Sequence, residues 1–513
     1  MTTLRLPTAG PQADSDAGSR GVTSLGPPAL SQRERGQNRV TIEAVLRREA
    51  TVGDFVAGRF ETRQTAPGGA AALALRLRRI LGGLLRSWPG SIVRRGPHTV
   101  TSRGSHSESF FDDGFGQQRL TITYYYPWGY FHPVRSGAAA IASRQLDYFR
   151  QRGHRVRMMV RAAPHRGRAA FERHYHWVDE IAVVDVGKYP AIQRYFDTWD
   201  FGNYLAGHAR LAEQPEIGEW LSQPADVAFL NYVFATPLLD ALPAGAYRLL
   251  ETYDIMSHQF LGHRSPSALL DQSLAGEFDL YRLYDSVLMI NQDEEEFARS
   301  HCAADLAYLP PSIEVAHENS ERPDGAPYDL LFVGSGHSPN VEGVDWFYRH
   351  VYRPLLKVKG IRWAISGSVC RQLPFKDPGV IRLGSVADLG ELYRRSKVVV
   401  VPLFRGSGIS IKTLEAMGHR KPVVTTPCGR RGLSASADNA LLTYPFEVDP
   451  AAVADAIGRL CSSDALRKDY GRRAALFISD HFSTRSYVRR MDHIFQRVVA
   501  SDAAREPFSR PIL

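Results

Sequence analysis

The sequence is poor in cysteine and in long apolar runs. Its 513 residues contain four cysteines, Cys302, Cys370, Cys428 and Cys461, and no two of them form a C-x-x-C pair. This spacing indicates neither a disulfide framework nor a zinc site. No apolar run reaches the roughly 18 residues of a membrane-spanning helix, and the N-terminus lacks the apolar core of a secretory signal. We therefore expect a cytoplasmic protein.

Acidic residues are also missing from one long stretch. Residues 1–116 carry 16 arginines against 10 acidic residues, and no acid occurs between Arg63 and Ser107. The excess of positive charge thus lies in an extension rich in Gly, Ser, Pro and Ala, which we predict to be largely disordered. The chain shows no zinc-finger spacing, ribonucleoprotein signature or clear helix-turn-helix, so we expect no nucleic acid partner.

One island in this extension is different. Residues 75–88, LRLRRILGGLLRSW, place leucines, an isoleucine and a tryptophan at helical spacing, with arginines on the other faces. Such a basic amphipathic helix suits the surface of an anionic membrane at the inner face of the cell. A helix that docks on the protein's own surface explains the same pattern, and both interpretations stay open.

The length of the chain predicts more than one domain, and its 44% hydrophobic and 23% charged residues are typical of a globular protein. From about residue 118 short apolar runs alternate with helical segments. The first series is LTITYYY, IAVVDV, DVAFLNYVF, YRLLETYD and DSVLMINQ; the second is YDLLFVGSG, RWAISGS, VIRLGS, VVVVPLF and PVVTTP. This alternation predicts parallel sheets covered by helices on both faces. We assign residues 117–320 and 321–485 to two α/β domains, and residues 486–513 to a C-terminal helix and tail.

Three of the predicted strands in the second domain end in glycine and small hydroxyl residues. They are followed by Gly334-Ser335-Gly336, by residues 366–368 (SGS) and by Gly406-Ser407-Gly408. Glycine lets the backbone approach a ligand closely, and free amides at the start of a helix bind anions. The three loops together indicate a ligand that carries phosphate.

Two familiar phosphate-binding motifs are absent. The pattern G-x-x-x-x-G-K-[ST] does not occur, which argues against an ordinary nucleoside triphosphatase. The fingerprint G-x-G-x-x-G also fails, because Pro339 stands where its third glycine is required. Hydride transfer to a nicotinamide is therefore disfavoured.

The loop at 406–408 leads into a predicted helix that carries Lys412 and Glu415. Residues three apart lie on neighbouring positions of one helix face, so an exposed ion pair is one explanation. Leu414, Ala416 and Met417 surround the glutamate in sequence, however, and burial of an unpaired carboxylate is costly. We favour a functional role, in which Lys412 faces phosphate and Glu415 accepts hydrogen bonds from a ribose diol.

These motifs resemble a known enzyme family. The stretch VVVVPLFRGSGISIKTLEAMGHRKPVVTTPCGRRGL resembles the C-terminal signature of family 4 retaining glycosyltransferases (glycosyl transferases group 1), which have the GT-B fold. YDLLFVGSGHSPNVEGVDWFYRHV is similar to the first strand and helix of that family's C-terminal domain. TYYYPWGYFHPVRSGAAAIASRQLDYFRQRGHRV is similar to the start of its N-terminal domain, and the resemblance extends over most of residues 118–500.

The resemblance implies two Rossmann-like domains that face a cleft, with a nucleotide-sugar donor on the C-terminal domain and a saccharide, lipid-linked or other acceptor on the N-terminal one. The implied donor-binding residues are Gly334, Ser335, Gly336, Gly406, Ser407, Gly408, Ile409, Ser410 and Glu415. The implied residues on the acceptor or phosphate side are Arg135, Ser136, Gly137 and Asp254. Stabilisation of the departing phosphate is the main requirement, for which Lys412 is the first candidate cation and Arg405 the second. We expect neither a metal nor another cofactor.

Three features of the sequence depart from the family pattern. The first glutamate of the family's E-x7-E arrangement, which contacts the transferred sugar, falls on Ser407. Several relatives have T-H-D where this chain has Thr252-Tyr253-Asp254, and the segment GSGHSPNVEGV lacks the Arg and Lys that many relatives carry. Two alternatives to a transferase in polysaccharide synthesis therefore stay open: a sugar-nucleotide epimerase or phosphorylase on the same scaffold, and a non-catalytic GT-B binding protein.

Overall fold

The computed structural model describes residues 118–132, 134, 136–162, 167–198, 200–261, 267–317 and 327–505, together with a short strand at 93–94. Apart from that strand, the predicted basic extension and its amphipathic segment 75–88 lie outside the described residues, as do residues 506–513. None of the helices in the described ranges has both the length and the apolar character needed to cross a membrane.

The N-terminal domain is built on a sheet of eight strands in the order β1-β4-β3-β2-β5-β6-β7-β8. Every neighbouring pair is parallel except β1 and β4. The strands are β1 (Val93–Arg94), β2 (Thr121–Tyr126), β3 (Arg155–Arg161), β4 (Glu180–Val184), β5 (Val227–Asn231), β6 (Tyr247–Glu251), β7 (Ser286–Met289) and β8 (Leu306–Tyr308). The helices of this half are α1 (Gly137–Gln151), α2 (Arg168–His174), α3 (Pro190–Phe196), α4 (Phe201–Ala212), α5 (Pro215–Leu221), α6 (Met256–Leu261), α7 (Ser267–Tyr281) and α8 (Gln292–His301).

The C-terminal domain is built on a fully parallel sheet of six strands in the order β11-β10-β9-β12-β13-β14. The strands are β9 (Tyr328–Val333), β10 (Trp363–Ser366), β11 (Val380–Gly384), β12 (Ser396–Val401), β13 (Val423–Thr425) and β14 (Leu442–Thr443). The helices are α9 (Ser338–Phe347), α10 (Leu389–Arg394), α11 (Ile411–Gly418), α12 (Pro427–Arg430), α13 (Pro450–Ser462) and α14 (Asp464–Phe482). A wider helical segment, Tyr348–Leu356, continues α9.

The last helix, α15 (Thr484–Arg505), leaves the C-terminal domain and packs on the N-terminal one. Tyr148 Oη and Arg152 Nε each donate to Asp492 Oδ1 at 2.9 Å, and the ring of Phe495 stacks on His154. The two domains are thus tied together by this helix as well as by the connection that follows β8.

Local sequence explains where these elements begin and end. The predicted apolar runs form strands, and apart from the edge strand β11 their central residues are buried, because helices cover both faces of each parallel sheet. In α1, Ser136 caps the first turn by accepting the amide of Ala139 at 3.2 Å. The helix ends before Gly153, which adopts a φ of +70° that glycine tolerates well. The predicted pair of Rossmann-like parallel-sheet domains is confirmed.

Each sheet has a point where the strand order reverses. It lies between β2 and β5 in the N-terminal domain and between β9 and β12 in the C-terminal domain. Ligands of open parallel sheets bind outside the carboxyl ends of the strands at this point. The loops that follow β9 and β12 are the ones that contain Gly334–Gly336 and Gly406–Gly408, so the topology places both glycine motifs there.

Candidate active site

The loop between β12 and α11, residues 402–410, is the centre of the candidate site. Gly406 and Gly408 adopt φ values of +145° and +62°, which residues with a Cβ rarely adopt. Ser410 is buried, and its hydroxyl lies 2.8 Å from the hydroxyl of Thr413, which donates to the carbonyl of Gly429 at 2.7 Å. The predicted residues from Gly406 to Ser410 therefore form one tightly held turn that leads directly into a helix. Ile409 is buried in this turn.

The side chain of Arg431 holds this turn through a hydrogen bond to its backbone. Its Nε donates to the carbonyl of Ser407 at 2.8 Å, and its Nη1 donates to the carbonyl of Cys428 at 2.7 Å. A Cβ at Gly406 would lie 2.9 Å from Arg431 Nη2, so glycine at this position lets the guanidinium sit directly against the backbone. The C-terminal domain thus brings a fixed positive charge to the glycine loop.

Lys412 adds a second positive charge in the first turn of α11. Burial and the nearby guanidinium of Arg431 lower the pKa of Lys412 to about 8, against the opposing effect of Glu415. His337, which precedes α9, has a pKa lowered by burial and by the charges of Arg405 and Lys412. The positive charge around Lys412 thus favours the neutral imidazole of His337 at the carboxyl edge of the sheet.

Glu415 lies one turn further along α11. Burial raises the pKa of Glu415 to about 7, against the opposing effect of Lys412. Glu415, Ile411 and His419 help to line a cavity of about 510 Å³ between the domains, whose N-terminal wall includes Ile141 and Arg144 of α1. A carboxylate that borders an interdomain cavity is suited to accept hydrogen bonds from a polar ligand.

The loop after β9 has most of its backbone groups engaged. The amide of Gly334 donates to the carbonyl of Ser366 at 3.0 Å, and the amide of Gly336 donates to Ser368 Oγ at 2.8 Å. Ser335 is exposed and accepts hydrogen bonds from Asn340. The loops after β9 and β10 therefore bind each other beside the candidate site, and only movement would free these amides for a ligand.

Arg405 is placed differently from Lys412. Its side chain is 48% exposed, and its Nε donates to Glu342 Oε2 at 2.7 Å, while Nη2 donates to the hydroxyl of Ser338. The charge of Arg405 is thus matched by a carboxylate on α9. In this conformation the positive charges beside the glycine loop come from Lys412 and Arg431, and Arg405 is turned toward solvent.

On the N-terminal side, two non-glycine residues adopt a positive φ at neighbouring strand ends. Tyr232 follows β5 with a φ of +69° and Tyr253 follows β6 with a φ of +63°; their rings stack with centroids 4.3 Å apart. Tyr253 is buried, and its hydroxyl donates to Asn231 Oδ1 at 2.9 Å. Strained backbone of this kind is concentrated at functional sites. Here it directs the next residue, Asp254, toward the other domain.

Asp254 lies directly against the glycine loop. A Cβ at Gly408 would overlap the carboxylate of Asp254 and would lie 2.8 Å from the carbonyl oxygen of Tyr253. Burial raises the pKa of Asp254, while Arg431 and the hydroxyl of Ser407 oppose the shift. The structure thus brings together Asp254, Ser407 and Gly408, which the sequence had assigned to the two sides of a cleft.

The first turn of α8 contacts the same loop. Asn291 caps α8 through its Oδ1 and donates through Nδ2 to the carbonyl of Gly408 at 2.7 Å. Glu294 Oε1 accepts the amide of Gly408 at 2.7 Å, and Asp293 Oδ2 accepts the amide of Gly432 at 3.1 Å. Burial and the neighbouring charge of Asp254 raise the pKa of Glu294. Glu294 therefore accepts the hydrogen bond of the Gly408 amide, which the sequence analysis had assigned to a phosphate of the ligand.

The three predicted residues at the start of α1 are placed differently. Gly137 faces the other domain, where a Cβ at this position would lie 2.6 Å from Ile411 Cγ1. Ser136 is exposed and serves as the cap of α1. Arg135 lies outside the described residues. The position of Gly137 shows that the start of α1 meets the start of α11 across the domain boundary.

The described part of the chain holds no cluster of three or more His, Cys, Asp or Glu side chains suited to a metal ion. The four cysteines are free thiols. The polar groups that converge on the glycine loop are instead backbone amides, two cations and acidic side chains from the N-terminal domain.

Comparison with known protein families matches residues 327–463 to the family described as Glycosyl transferases group 1. The C-terminal domain is a group 1 glycosyltransferase domain. The match covers β9 to the end of α13, and with it both glycine loops, Lys412, Glu415 and Arg431. The predicted resemblance to this family is confirmed, and the matched domain contains the glycine loop at the centre of the site just described.

Solved structures share the two-domain fold of this protein. A sucrose-phosphate synthase from Thermosynechococcus elongatus matches with a TM-score of 0.53 at 15% identity, covering 75% of this chain and 100% of that one. The Anabaena protein Alr3699/HepE, solved with UDP and glucose, matches with a TM-score of 0.51 at 14% identity, covering 74% and 100%. At these identities the likeness establishes the fold, which is GT-B.

A relative in sequence comes from Klebsiella pneumoniae, where it is described as an uncharacterized 44.6 kDa protein in the cps region. It is 25% identical over 184 residues, which is 33% of this chain and 46% of the relative. The matched region thus spans less than half of that protein.

Sequence reasoning missed Arg431, Asn291 and Glu294. Arg431 lies within the stretch that carries the family resemblance, in the motif CGRRGL, and its position after β13 was a signal that it stands at the ligand edge of the sheet. Asn291 and Glu294 follow β7 in NQDEEEF, where they read as an ordinary helix cap and an acidic first turn. Only the packing of the two domains gives them a second role.

Proposed function

We propose that this protein transfers a sugar from a nucleotide-sugar donor to a saccharide, lipid-linked or other glycoconjugate acceptor, with retention of configuration, in polysaccharide biosynthesis. The observation that carries the proposal is the loop from Gly406 to Ser410, at the reversal point of a parallel sheet, with Lys412 and Arg431 beside it and Glu415 one turn away. These groups match the parts of a sugar nucleotide: amides and cations for the diphosphate, and a carboxylate for the ribose diol.

The chemistry needs little more than this charge distribution. In transfer with retention, the bond from the sugar C1 to the phosphate oxygen breaks, and the acceptor oxygen bonds to C1 on the same face. The proton of the acceptor hydroxyl passes to the departing phosphate, which then leaves as part of the nucleoside diphosphate. Preorganised cations at the position where negative charge develops lower the barrier to this step. Lys412 and Arg431 supply that charge without any nucleophile from the enzyme.

Two comparisons support the choice of substrates. The Anabaena protein of the same fold was solved with UDP and glucose, which supports a nucleoside diphosphate sugar as donor. The Klebsiella relative is named for a cps region, which supports polysaccharide synthesis as the setting. Asp254, across the loop from these cations, is the candidate on the acceptor side.

A panel of nucleotide sugars in a thermal-shift assay tests donor binding, because a ligand that binds the folded state raises the melting temperature. The hit is then incubated with and without saccharide acceptors, and free nucleoside diphosphate and the anomeric configuration of the product are measured by NMR. Glu415→Ala is expected to abolish the shift, and Glu447→Ala, an exposed site on the same domain, is the control. An epimerised donor without sugar transfer would identify an epimerase, and phosphate-dependent release of sugar phosphate a phosphorylase. No shift with any nucleotide sugar would point to a non-catalytic binding protein.

A further inference from the structure

The contact between α8 and the glycine loop combines hydrogen bonding with an unusual distribution of charge. Asn291 Nδ2 and Glu294 Oε1 bind the carbonyl and the amide of Gly408, both at 2.7 Å. Asp293 accepts the amide of Gly432 on the neighbouring connection. Both polar atoms of the Gly408 backbone are therefore satisfied by side chains of the other domain, although Gly408 lies where this fold receives the phosphates of its ligand.

The group that takes the Gly408 amide is itself an anion when ionised. Glu294 Oε1 accepts that amide from the C-terminal domain, and Glu294 Oε2 accepts the amide of Ile255 at 3.2 Å from its own domain. A carboxylate held by backbone N–H groups at the start of a helix uses the same interactions as a bound phosphate. Glu294 thus has the position and the chemistry of an internal ligand.

The charges around Glu294 favour its replacement at the Gly408 amide by another ligand. Asp254 lies against the same glycine, and the burial of Glu294 together with the negative charge of Asp254 raises the pKa of Glu294. Arg431 is the nearby cation that offsets both acids. A diphosphate that entered between Arg431 and the Gly408 amide would compete for the same cation and the same N–H. It would also stand beside two acidic side chains, which repel it unless one of them moves or takes up a proton.

We propose that the carboxyl group of Glu294 is an internal ligand of the Gly408 amide until the diphosphate of the donor replaces it, so that donor binding requires the exchange of one acidic ligand for another at this amide. The inference rests on the proposed function, because it assigns the incoming anion to the donor. Glu294 is accordingly a residue that weakens donor affinity and limits occupancy of the loop to ligands that carry enough negative charge to displace it.

The test measures the dissociation constants of UDP and of inorganic pyrophosphate by calorimetry with the full-length protein. Glu294→Ala removes the competitor and is expected to tighten both constants at least tenfold. Glu294→Gln keeps an oxygen for the amide without the charge, and it is expected to fall between Glu294→Ala and the unaltered protein. Glu296→Ala is the matched control, because this glutamate is exposed on the same helix and bonds to Gln292. The control is expected to leave both constants unchanged.

Circular dichroism and melting temperature establish that each variant is folded, and hydrogen exchange of the peptide that contains Gly408 supplies a second readout. Faster exchange of that peptide in Glu294→Ala than in Glu296→Ala, with slower exchange once pyrophosphate is added, supports the inference. Equal or weaker binding of both anions by Glu294→Ala overturns it, as does failure of pyrophosphate to bind any variant. If Glu294→Ala tightens both constants but no sugar is transferred from any donor, the proposed function fails and the replacement of Glu294 at the Gly408 amide stands. If sugar is transferred but the dissociation constants do not change, the proposed function stands and the role of Glu294 is overturned.

Discussion

The contact between Gly137 and Ile411 joins the start of α1 to the start of α11 across the two domains. A Cβ added at Gly137 would lie 2.6 Å from Ile411 Cγ1 and 3.1 Å from Ile411 Cβ. Carbon atoms in favourable contact stand about 3.5–4.0 Å apart, so Gly137→Ala forces the two helix starts apart by roughly 1 Å. Alanine suits the helix itself, because Gly137 is the first residue of α1 and does not need a positive φ.

The size of the effect follows from the overlap. Insertion of a methyl group into a close-packed contact costs about 1–3 kcal/mol. If that energy opposes only the approach of the domains, the equilibrium constant for the domain arrangement described here falls by about 5- to 150-fold. Sugar transfer requires groups from both domains at one reacting centre, so kcat/KM is expected to fall by up to that factor. Folding of each domain is expected to be unaffected.

A double-mutant cycle isolates the contact. Ile411→Ala removes Cγ1 and Cγ2 and leaves only the Ile411 Cβ, 3.1 Å from the new atom, so Gly137→Ala in the Ile411→Ala background is expected to lose less activity than in the unaltered protein. Gly458→Ala is the control, because this glycine lies in α13 with nothing within 4 Å of an added Cβ. The assay measures kcat/KM for donor and the melting temperature of each variant. Additive losses in the double variant, or full activity of Gly137→Ala, would refute the steric argument.

The remaining predictions concern charge at the glycine loop and one backbone contact. The pKa of Glu415 is raised to about 7 and that of Lys412 is lowered to about 8, so kcat/KM for donor should rise with pH as Glu415 ionises and fall once Lys412 loses its proton. Glu415→Gln should remove the acidic limb of that profile. Arg431→Met should weaken UDP binding at least tenfold in calorimetry, whereas Arg405→Met, whose side chain is exposed and already ion-paired, should change it less than about threefold. Gly367→Ala should lower the free energy of unfolding by about 2 kcal/mol or more in urea titrations, because a Cβ there would overlap a backbone carbonyl and the φ of +101° strains any residue with a side chain.

Each of these has a measurement that contradicts it. A flat profile between pH 6 and 9 would show that neither Glu415 nor Lys412 controls donor capture. Equal losses from Arg431→Met and Arg405→Met would show that both cations serve the diphosphate. For the backbone contact, Gly360→Ala is the matched control, since its φ is +75° but nothing lies within 4 Å of an added Cβ. An equal loss of stability in the two glycine variants would assign the effect to strain alone.

Much of the C-terminal half was predictable, because its signals are local. A buried parallel strand is a continuous apolar run, as in VVVVPLF, and a loop that needs φ above zero requires glycine, as at Gly406 and Gly408. Lys412 and Glu415 follow within a few residues of that loop on one helix, so their position relative to it is set by helical geometry. The sequence alone therefore determined the two-domain α/β fold, the family of the C-terminal domain and the centre of the candidate site.

Tertiary structure alone decided which charges meet at that centre. The sequence predicted Arg405 as a cation of the site and missed Arg431. In the structure, Arg405 pairs with Glu342 at the surface, whereas Arg431 donates to the carbonyl of Ser407 beside the glycine loop. Glu294 stands 114 residues from Gly408 in sequence and bonds to its amide. No local pattern records such a pair, because the hydrogen bond exists only when two separately folded sheets bring their strand ends together, and its energy depends on burial that the packing of both domains creates.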